Sequence, residues 1–233
     1  MEQKTFIYNN NEYIFKYNSR DVSELWCIDE IVRDNDYMLD KFVNNINKHF
    51  IDIGANCGVA TIILAKQNPN SKIYAFEPDP NVFKVLEENV NANKLSNVIL
   101  FNYAVSNPEN KNIDLCFHPS YSGGNTTYAD KSNICSFFNN NYIKIITVQC
   151  ISLDEVLVNY SINNVELLKI DCEGAEYDII YTSNSIKENK IKNIVGEFHN
   201  LAYNNRVKNT ADELIQYTKP YISGIFNIRT LNV

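Results

Sequence analysis

The sequence has no run rich in lysine and arginine. Its 233 residues carry 21 basic against 28 acidic side chains, which gives a net charge of −7 and a pI of about 5.0. A general nucleic-acid binder needs a basic face that neutralises phosphates. We therefore expect no nucleic-acid partner, although a local basic pocket for one anionic substrate stays open.

Long apolar runs and paired cysteines are also absent. No stretch of 18 consecutive apolar residues occurs, and the first twenty residues contain no apolar signal-peptide core. No C-x-x-C pair occurs, and no histidine lies at zinc-ligand spacing from a cysteine. We therefore expect no integral membrane segment, free thiols and a cytoplasmic location. The six cysteines are Cys27, Cys57, Cys116, Cys135, Cys150 and Cys172.

The chain contains neither an internal repeat nor a linker rich in proline, glycine or serine. From residue 50 onward, strand-like and helix-like segments alternate. This alternation predicts one Rossmann-like α/β domain over residues 50–233, with a mostly parallel sheet and helices on both faces. Residues 1–49 would form an N-terminal extension, with a hairpin at FIYNNNEYIFKY and a helix. The hairpin could be a dimer contact or a lid, so a homo-oligomer stays open.

Residues 50–65, FIDIGANCGVATIILA, predict a strand, a glycine turn and a helix. The turn reads G-x-x-x-G, because Asn56 occupies the middle position of the dinucleotide fingerprint G-x-G-x-x-G. A side chain there hinders a pyrophosphate, and so does the carboxylate of Asp52. The turn therefore favours S-adenosylmethionine over NAD. Asp52 would face the ammonium group of the cofactor, and the turn between Gly54 and Gly58 would receive its carboxylate.

The next two strands end in residues suited to the remainder of that cofactor. Glu77 in AFEPDP can accept hydrogen bonds from both ribose hydroxyls. It could instead stabilise the start of the following helix, but Asp79 is better placed for capping. Asn102 and Ala104 in FNYAVSN would provide a polar partner and a small wall for the adenine.

The fourth strand ends in three carboxylates within six residues, in the segment KIDCEGAE. Asp171, Glu173 and Glu176 at a buried strand end predict a cationic ligand, a metal ion or a shared proton. Helix capping could account for one or two of them. Asp171 is also expected to contact the cofactor.

The fifth strand, NIVGEF, leads to Glu197, His199 and Asn200. His199 is the first candidate for the general base, since its ordinary pKa suits the task, and Asp171 or Glu173 is the second. No metal ligand is assigned. Mg²⁺ or Mn²⁺ remains an alternative, held by Asp171 together with the three residues of the fifth strand.

The polar segment SYSGGNTTYAD within residues 118–142 is expected to be an acceptor-binding loop. The candidate substrate-binding residues are Tyr121, Ser122, Gly123, Asn125, Glu197 and His199. An ordinary surface loop is the alternative interpretation.

Taken together, FIDIGANCGVATIILA, FEPDP, FNYAVSN, KIDCEGAE and VGEFH resemble the FkbM-type SAM-dependent methyltransferases, in the family's order over roughly residues 50–200. The resemblance implies a seven-stranded sheet whose last strand is antiparallel. It assigns Asp52, Gly54, Asn56 and Gly58 to the cofactor turn and Glu77 to the ribose. It also implies that residues 29–42 pack over the cofactor and that Asp171 and Glu173 flank the reacting end.

The activity that this resemblance implies is O-methylation of a hydroxyl group. A sugar or activated sugar, such as a sugar nucleotide in polysaccharide biosynthesis, is the expected acceptor. A lipid or polyketide-type small molecule is the alternative. A NAD-binding oxidoreductase and a non-catalytic SAM-binding protein are alternatives of other classes. Residues 118–142 and those after 200 match no pattern, so the sequence leaves the acceptor open.

Overall fold

The structure is a computed structural model that describes residues 1–8, 11–127, 143–200 and 210–232. Its strands, numbered in chain order, are β1 Glu2–Tyr8, β2 Asn11–Tyr17, β3 His49–Ile53, β4 Lys72–Phe76, β5 Val98–Phe101, β6 Ala104–Val105, β7 Asn112–His118, β8 Tyr121–Thr126, β9 Lys144–Ile151, β10 Leu167–Ile170, β11 Ile194–Asn200 and β12 Phe226–Asn232. Its helices are α1 Val22–Asp29, α2 Val59–Gln67, α3 Pro80–Ala92, α4 Leu153–Asn159, α5 Glu176–Thr182, α6 Asn184–Lys187 and α7 Ala211–Thr218. A π-helical turn at Glu30–Asp34 and 3-10 turns at Leu39–Lys41 and Lys219–Tyr221 complete them.

A parallel sheet in the order β12-β11-β10-β3-β4-β5 forms the centre of the fold. Both of its faces are covered, which explains why its strands read as nearly continuous apolar runs. Neighbouring residues of one strand enter different cores: Phe50 packs with α2 and α3, whereas Ile51 packs with α4 and α5. The predicted α/β class is confirmed.

The last strand differs from the expectation. β12 runs parallel to β11, not antiparallel, and the described sheet has six strands, not seven. The chain reaches β12 through α7 and the turn Lys219–Tyr221. A strand that follows a crossover helix at a sheet edge returns in the same direction, which accounts for the parallel pairing.

Side-chain caps set the starts of several helices. Asp79 accepts from the Asn81 amide at 2.8 Å, and Pro80 follows it at the first helical position of α3. Ser152 forms a capping box with Glu155 at the start of α4. None of the described helices combines the length and the apolar character that a membrane span requires.

A second sheet, in the order β6-β9-β7-β8, borders the carboxyl ends of the central strands. Its strand β8 corrects the interpretation of SYSGGNT as a loop. Ser122, Gly124 and Thr126 alternate inward, and the amides of Ser122 and Gly123 donate to Asp21 and Ser23 at 2.8 Å each. The segment gave no strand signal because glycine and asparagine, which fill its centre at Gly123, Gly124 and Asn125, are depleted in strands. Positions 128–142 of the predicted loop lie outside the described residues.

The N-terminal hairpin is confirmed, since β1 pairs with β2 over their full length. It packs against α3: the Lys16 amide donates to Asn89 at 2.6 Å, and the Ile14 amide donates to Asn93 at 3.1 Å. Consequently the hairpin is anchored on a helix face, and the segment after it covers the strand ends.

Candidate active site

A pocket of about 880 Å³, including its open mouth, lies at the carboxyl ends of β3, β4 and β10. Residues 53–57, 76–78, 103–105 and 171–173 form its walls. Cys27, Ile31 and Tyr37, from α1 and the segment after it, lie over it. Its place at the carboxyl ends of parallel strands is where α/β folds of this kind bind ligands.

The glycine turn is shaped by a neighbouring strand as well as by its own sequence. Gly54 has φ = +75°, and a Cβ atom there would overlap the Asp171 carbonyl group at the end of β10. The amides of Gly54 and Ala55 both donate to the Phe76 carbonyl, at 3.1 and 2.9 Å. Asn56 has φ = +49° and accepts from the Cys57 amide at 2.7 Å. The turn is therefore fixed against β4 and β10.

The Asp52 side chain does not face this pocket. It is fully buried, accepts from the Thr61 hydroxyl at 2.5 Å and lies 3.3 Å from the Lys169 ammonium. Lys169 in turn donates to the Gly54 carbonyl at 2.6 Å. We therefore revise the expectation that Asp52 contacts the cofactor ammonium, since its carboxylate is used to hold Lys169 beneath the turn.

Lys169 is a buried cation that sequence reasoning missed. Burial alone would lower the pKa of Lys169, but the Asp52 and Asp171 carboxylates raise it above its ordinary value. Its ammonium also lies 5.4 Å from the centre of the Tyr37 ring. The sequence feature that could have revealed this buried cation is the single lysine within the otherwise apolar strand LLKI.

Glu77 lies where the ribose expectation placed it, in the pocket wall at the end of β4. Its carboxylate accepts from the amides of Asn56 and Asp79 at 2.9 Å each. Burial raises the pKa of Glu77 to about 8. Asp79 makes the α3 cap, so Glu77 is not needed for that role.

Asn102 has a structural use that the sequence did not reveal. Its amide donates to the carbonyls of Glu77 and Pro78, at 2.8 and 2.9 Å, and so it fastens the turn after β4. Asn102 is not among the described pocket-lining residues, whereas Tyr103 and Ala104 are. Ala104 thus keeps its predicted place, and Tyr103 was missed.

The ends of β10 and β11 bring four carboxylates around His199. Its Nε2 atom lies 3.5 Å from Glu173, 3.8 Å from Glu197 and 4.0 Å from Asp171. Its Nδ1 atom lies 3.1 Å from Glu176. We call these five residues the acidic cluster. Asp171 and Glu173 of this cluster line the pocket, whereas Glu176, Glu197 and His199 are not among its described lining residues.

Charge in the acidic cluster is unbalanced. Burial alone would lower the pKa of His199, but the Glu173 and Glu176 carboxylates raise it well above its ordinary value. Burial raises the pKa of Glu173 and of Glu197, although the His199 charge opposes it. The surrounding carboxylates therefore favour the charged form of the ring, and an imidazolium is a poor acceptor for a substrate proton.

Glu176 and Asp171 have hydrogen-bond partners of their own. The fully buried Glu176 accepts from the amides of Cys172 and Gly174 at 2.9 Å each, which fixes the turn after β10. The Tyr37 hydroxyl donates to Asp171 at 2.7 Å. The capping interpretation is therefore wrong here, because the start of α5 has no side-chain cap and Glu176 is buried, holding the turn before the helix and orienting His199.

Two residues of the alternative metal set are used elsewhere. Glu197 pairs with Arg229 of β12. The Asn200 side chain accepts from the Ala211 amide at 2.8 Å, at the start of α7. The described residues that could ligate one ion together are Asp171, Glu173 and His199. This group contains Glu173 and lacks both Glu197 and Asn200 of the expected set.

The predicted substrate residues of β8 divide into two groups. Ser122, Gly123 and Asn125 line the pocket. The Asn125 amide nitrogen donates to Asp79 at 3.1 Å, while its buried oxygen has no hydrogen-bond partner among the described residues. Tyr121 packs edge-on against Trp26, with ring centres 6.2 Å apart. Trp26 was not singled out from the sequence.

The comparisons with known proteins agree with these motifs. "Methyltransferase 1" of Beauveria bassiana is 30% identical over 157 residues, which cover 63% of each chain. The "2-O-methyltransferase NoeI" of Sinorhizobium fredii is 28% identical over 138 residues, 56% of this chain and 55% of that protein. The "Hexuronic acid methyltransferase AglP" of Haloferax volcanii is 24% identical over 170 residues, 72% of this chain and 64% of that protein.

The chain thus spans between about half and two thirds of the length of these curated relatives. A family model described as the methyltransferase FkbM domain matches residues 52–221. That range runs from the end of β3 to the turn before β12. It includes the acidic cluster and the pocket walls at residues 53–57, 76–78, 103–105 and 171–173, whereas Cys27, Ile31 and Tyr37 precede it. The chain belongs to the FkbM methyltransferase-domain family.

Proposed function

We propose that the protein is a SAM-dependent O-methyltransferase that acts on a hydroxyl group of a sugar or activated sugar. The observation that carries this proposal is that two carboxylates of the acidic cluster, Asp171 and Glu173, line the glycine-turn pocket. An enzyme of this kind must hold an acceptor oxygen next to the methyl donor and must also receive the hydroxyl proton. The pocket and the cluster supply these two requirements.

The pocket residues fit S-adenosylmethionine, which would supply a methyl group activated on a sulfonium. Glu77 would accept hydrogen bonds from the ribose hydroxyls. Lys169 is the one cation among the described lining residues, and it is already paired with Asp52, so the Glu77 carboxylate is available to the ligand. Tyr103 and Ala104 would flank the adenine. The buried, unpaired oxygen of Asn125 offers a further acceptor for a donor of the ligand.

The proton of the acceptor hydroxyl would pass to a carboxylate. His199 was the first candidate, but its position between Glu176 and three other carboxylates keeps it charged. Asp171 and Glu173 line the pocket and can receive the proton directly. His199 would then act by balancing their charge and holding them in place.

The sugar assignment is supported by the chemistry of the pocket and by two relatives. Ser122 and Asn125 add polar side chains to the described pocket wall. The relatives NoeI and AglP are named as a 2-O-methyltransferase and a hexuronic acid methyltransferase. Lys169 is the only cation among the described lining residues and is paired with Asp52, so we place the sugar ring, and not a phosphate, against the cluster.

We also propose that the enzyme works in the cytoplasm. The five cysteines within the described residues are free thiols, which suits a reducing compartment. An activated sugar would be available there.

The test is a coupled assay for S-adenosylhomocysteine with separate panels of monosaccharides, sugar nucleotides and polyketide-type alcohols. Turnover confined to the sugar panels is expected. His199→Asn should lower kcat by about 10²-fold, with affinity for S-adenosylhomocysteine changed less than about threefold, because the cluster receives the proton and the turn holds the cofactor. Turnover of the polyketide-type panel alone would contradict the acceptor class. Full activity of His199→Asn would contradict the role of the cluster.

A further inference from the structure

The acidic cluster has more negative charge than its own cations balance. Four carboxylates lie within 4.0 Å of one imidazole ring. Arg229 neutralises Glu197, and Lys169 is shared with the buried Asp52. Asp171, Glu173 and Glu176 remain opposite a single His199. Burying such an excess is costly unless protons or a further cation neutralise it.

Three of these side chains present one ligand atom each to a common point. Atoms of Asp171, Glu173 and His199 all lie within 4.8 Å of one another. The distances from His199 Nε2 to Glu173 and to Asp171 are 3.5 and 4.0 Å. An octahedral ion with bonds of about 2.1 Å needs neighbouring ligand atoms about 3.0 Å apart and opposite ones about 4.2 Å apart. The three atoms need only small shifts to meet this geometry.

The His199 ring supplies an observation independent of the acidic residues. It is 1% exposed, and its Nε2 atom has no hydrogen-bond partner among the described residues although it points between Asp171 and Glu173. A buried polar atom without a partner costs free energy. Coordination of a cation would displace the Nε2 proton and use the lone pair that the proton leaves.

The surrounding hydrogen bonds are those that orient metal ligands. Glu176 holds the opposite nitrogen of His199 at 3.1 Å, as carboxylates do for many metal-bound histidines. The Tyr37 hydroxyl fixes Asp171 at 2.7 Å. Because Glu176 is itself fixed by two backbone amides, the ring cannot turn away without breaking that set.

We propose that Asp171, Glu173 and His199 form a divalent-cation site, and that Mn²⁺ is the ion it favours. Two carboxylates suit Mg²⁺, Ca²⁺ and Mn²⁺, and the imidazole shifts the preference towards Mn²⁺. Three protein ligands leave positions for water or for acceptor oxygens. The ion would offset the excess negative charge and polarise an acceptor hydroxyl. A carboxylate that binds the ion through one oxygen atom would keep its second oxygen atom free to receive the hydroxyl proton.

The role in catalysis rests on the proposed function, but the binding does not. The experiment therefore uses the protein without cofactor or acceptor. Mn²⁺ is titrated into it, and the fall of the free-ion signal is followed by electron paramagnetic resonance. One equivalent should bind with a dissociation constant of about 10–100 µM. Glu173→Gln and His199→Asn should each weaken binding at least about tenfold.

Glu87→Gln is the matched control, because Glu87 is an exposed carboxylate of α3 outside the cluster. It should bind Mn²⁺ as the wild type does. A melting temperature measured for each variant shows whether it is folded. As a measurement that needs no variant, Fe²⁺ with ascorbate and peroxide should cleave the chain near residues 171–174 and 199.

Three results would overturn the proposal. The first is no binding of Mn²⁺ below about 1 mM by the folded wild type. The second is equal binding by the wild type and by folded Glu173→Gln and His199→Asn. The third is Fe²⁺ cleavage confined to other segments. If the protein binds Mn²⁺ as expected but transfers no methyl group to any sugar, the cation site stands and the proposed function fails.

Discussion

Replacing Lys169 by methionine tests the arrangement beneath the glycine turn. The Lys169 ammonium lies 3.3 Å from Asp52 and 2.6 Å from the Gly54 carbonyl oxygen. Asp52 is fully buried, so without that cation its carboxylate would keep only the Thr61 hydroxyl as a partner. Removing one partner of a buried ion pair costs about 3–5 kcal/mol, and we expect a loss of that size in the free energy of unfolding.

The size of the change makes it measurable by two methods. For a chain of this length, 1 kcal/mol corresponds to about 2–4 °C in melting temperature, so Lys169→Met should melt about 6–20 °C lower. Urea unfolding followed by circular dichroism should show the same loss at an unchanged slope. Lys72→Met is the matched control, because Lys72 is exposed at the start of β4, and it should change stability by less than about 0.5 kcal/mol.

A double-mutant cycle shows whether the loss comes from the pair. Asp52→Asn alone leaves a buried ammonium and should also be costly, whereas the double variant with Lys169→Met contains neither charge. We expect the double variant to be at least about 2 kcal/mol more stable than the sum of the single losses predicts. Additive losses, or a Lys169→Met loss below about 1 kcal/mol, would refute this reasoning.

The remaining predictions concern the walls of the pocket. Gly54→Ala should lose about 3 kcal/mol or more of stability because its Cβ would overlap the Asp171 backbone. Gly58 has φ = +94°, but its Cβ would overlap only the Leu86 side chain, so Gly58→Ala should lose about 1–2 kcal/mol. Equal losses in urea unfolding would be contrary to the structure. Glu77→Gln should weaken S-adenosylhomocysteine binding about 10- to 100-fold, measured by calorimetry. Burial raises the pKa of Glu77 to about 8; the Asp79 charge adds to this rise and the Lys169 charge opposes it. The affinity of the wild type for S-adenosylhomocysteine should therefore increase as pH rises through about 8, because the carboxylate form accepts hydrogen bonds. Glu77→Gln should show no such increase. Because this folded pKa lies above the ordinary value of 4.5, the protein without ligand should lose stability between pH 4.5 and about 8, and Glu77→Gln should lose less over the same range.

Local patterns predicted the elements that position the pocket. The strand before the glycine turn, the cap at Asp79 and the wall position of Glu77 follow from spacing and residue type alone. The same patterns placed Asp171 and Glu173 at a strand end, and the structure shows that both follow β10 and line the pocket.

Those local patterns did not predict the side-chain interactions between neighbouring strands. Lys169 and Asp52 pair because they are opposite each other in the register of β10 against β3. Spacing along the chain does not reveal register between strands that are more than a hundred residues apart. For the same reason Asp52 was assigned to the cofactor, and the buried lysine that uses its carboxylate was overlooked.

The direction of β12 and the strand β8 depend on tertiary packing. β8 forms where Asp21 and Ser23 supply acceptors for its amides, so two glycines do not prevent a strand there. Asn102 was predicted to contact the adenine because it follows a strand end. Its side chain instead donates to the Glu77 and Pro78 carbonyls of the preceding turn. Residue type indicated where polar groups lie, but not what they bond.

The most direct test of the central claim is a calorimetric titration of the protein with S-adenosylhomocysteine and, separately, with NAD. The structure places Asn56 at φ = +49° in a turn held between β4 and β10, with Glu77 in the same wall. We predict binding of S-adenosylhomocysteine with a dissociation constant on the order of 1–10 µM and a stoichiometry near one, and no binding of NAD. Binding of NAD, or no binding of S-adenosylhomocysteine by the folded protein, would contradict the claim.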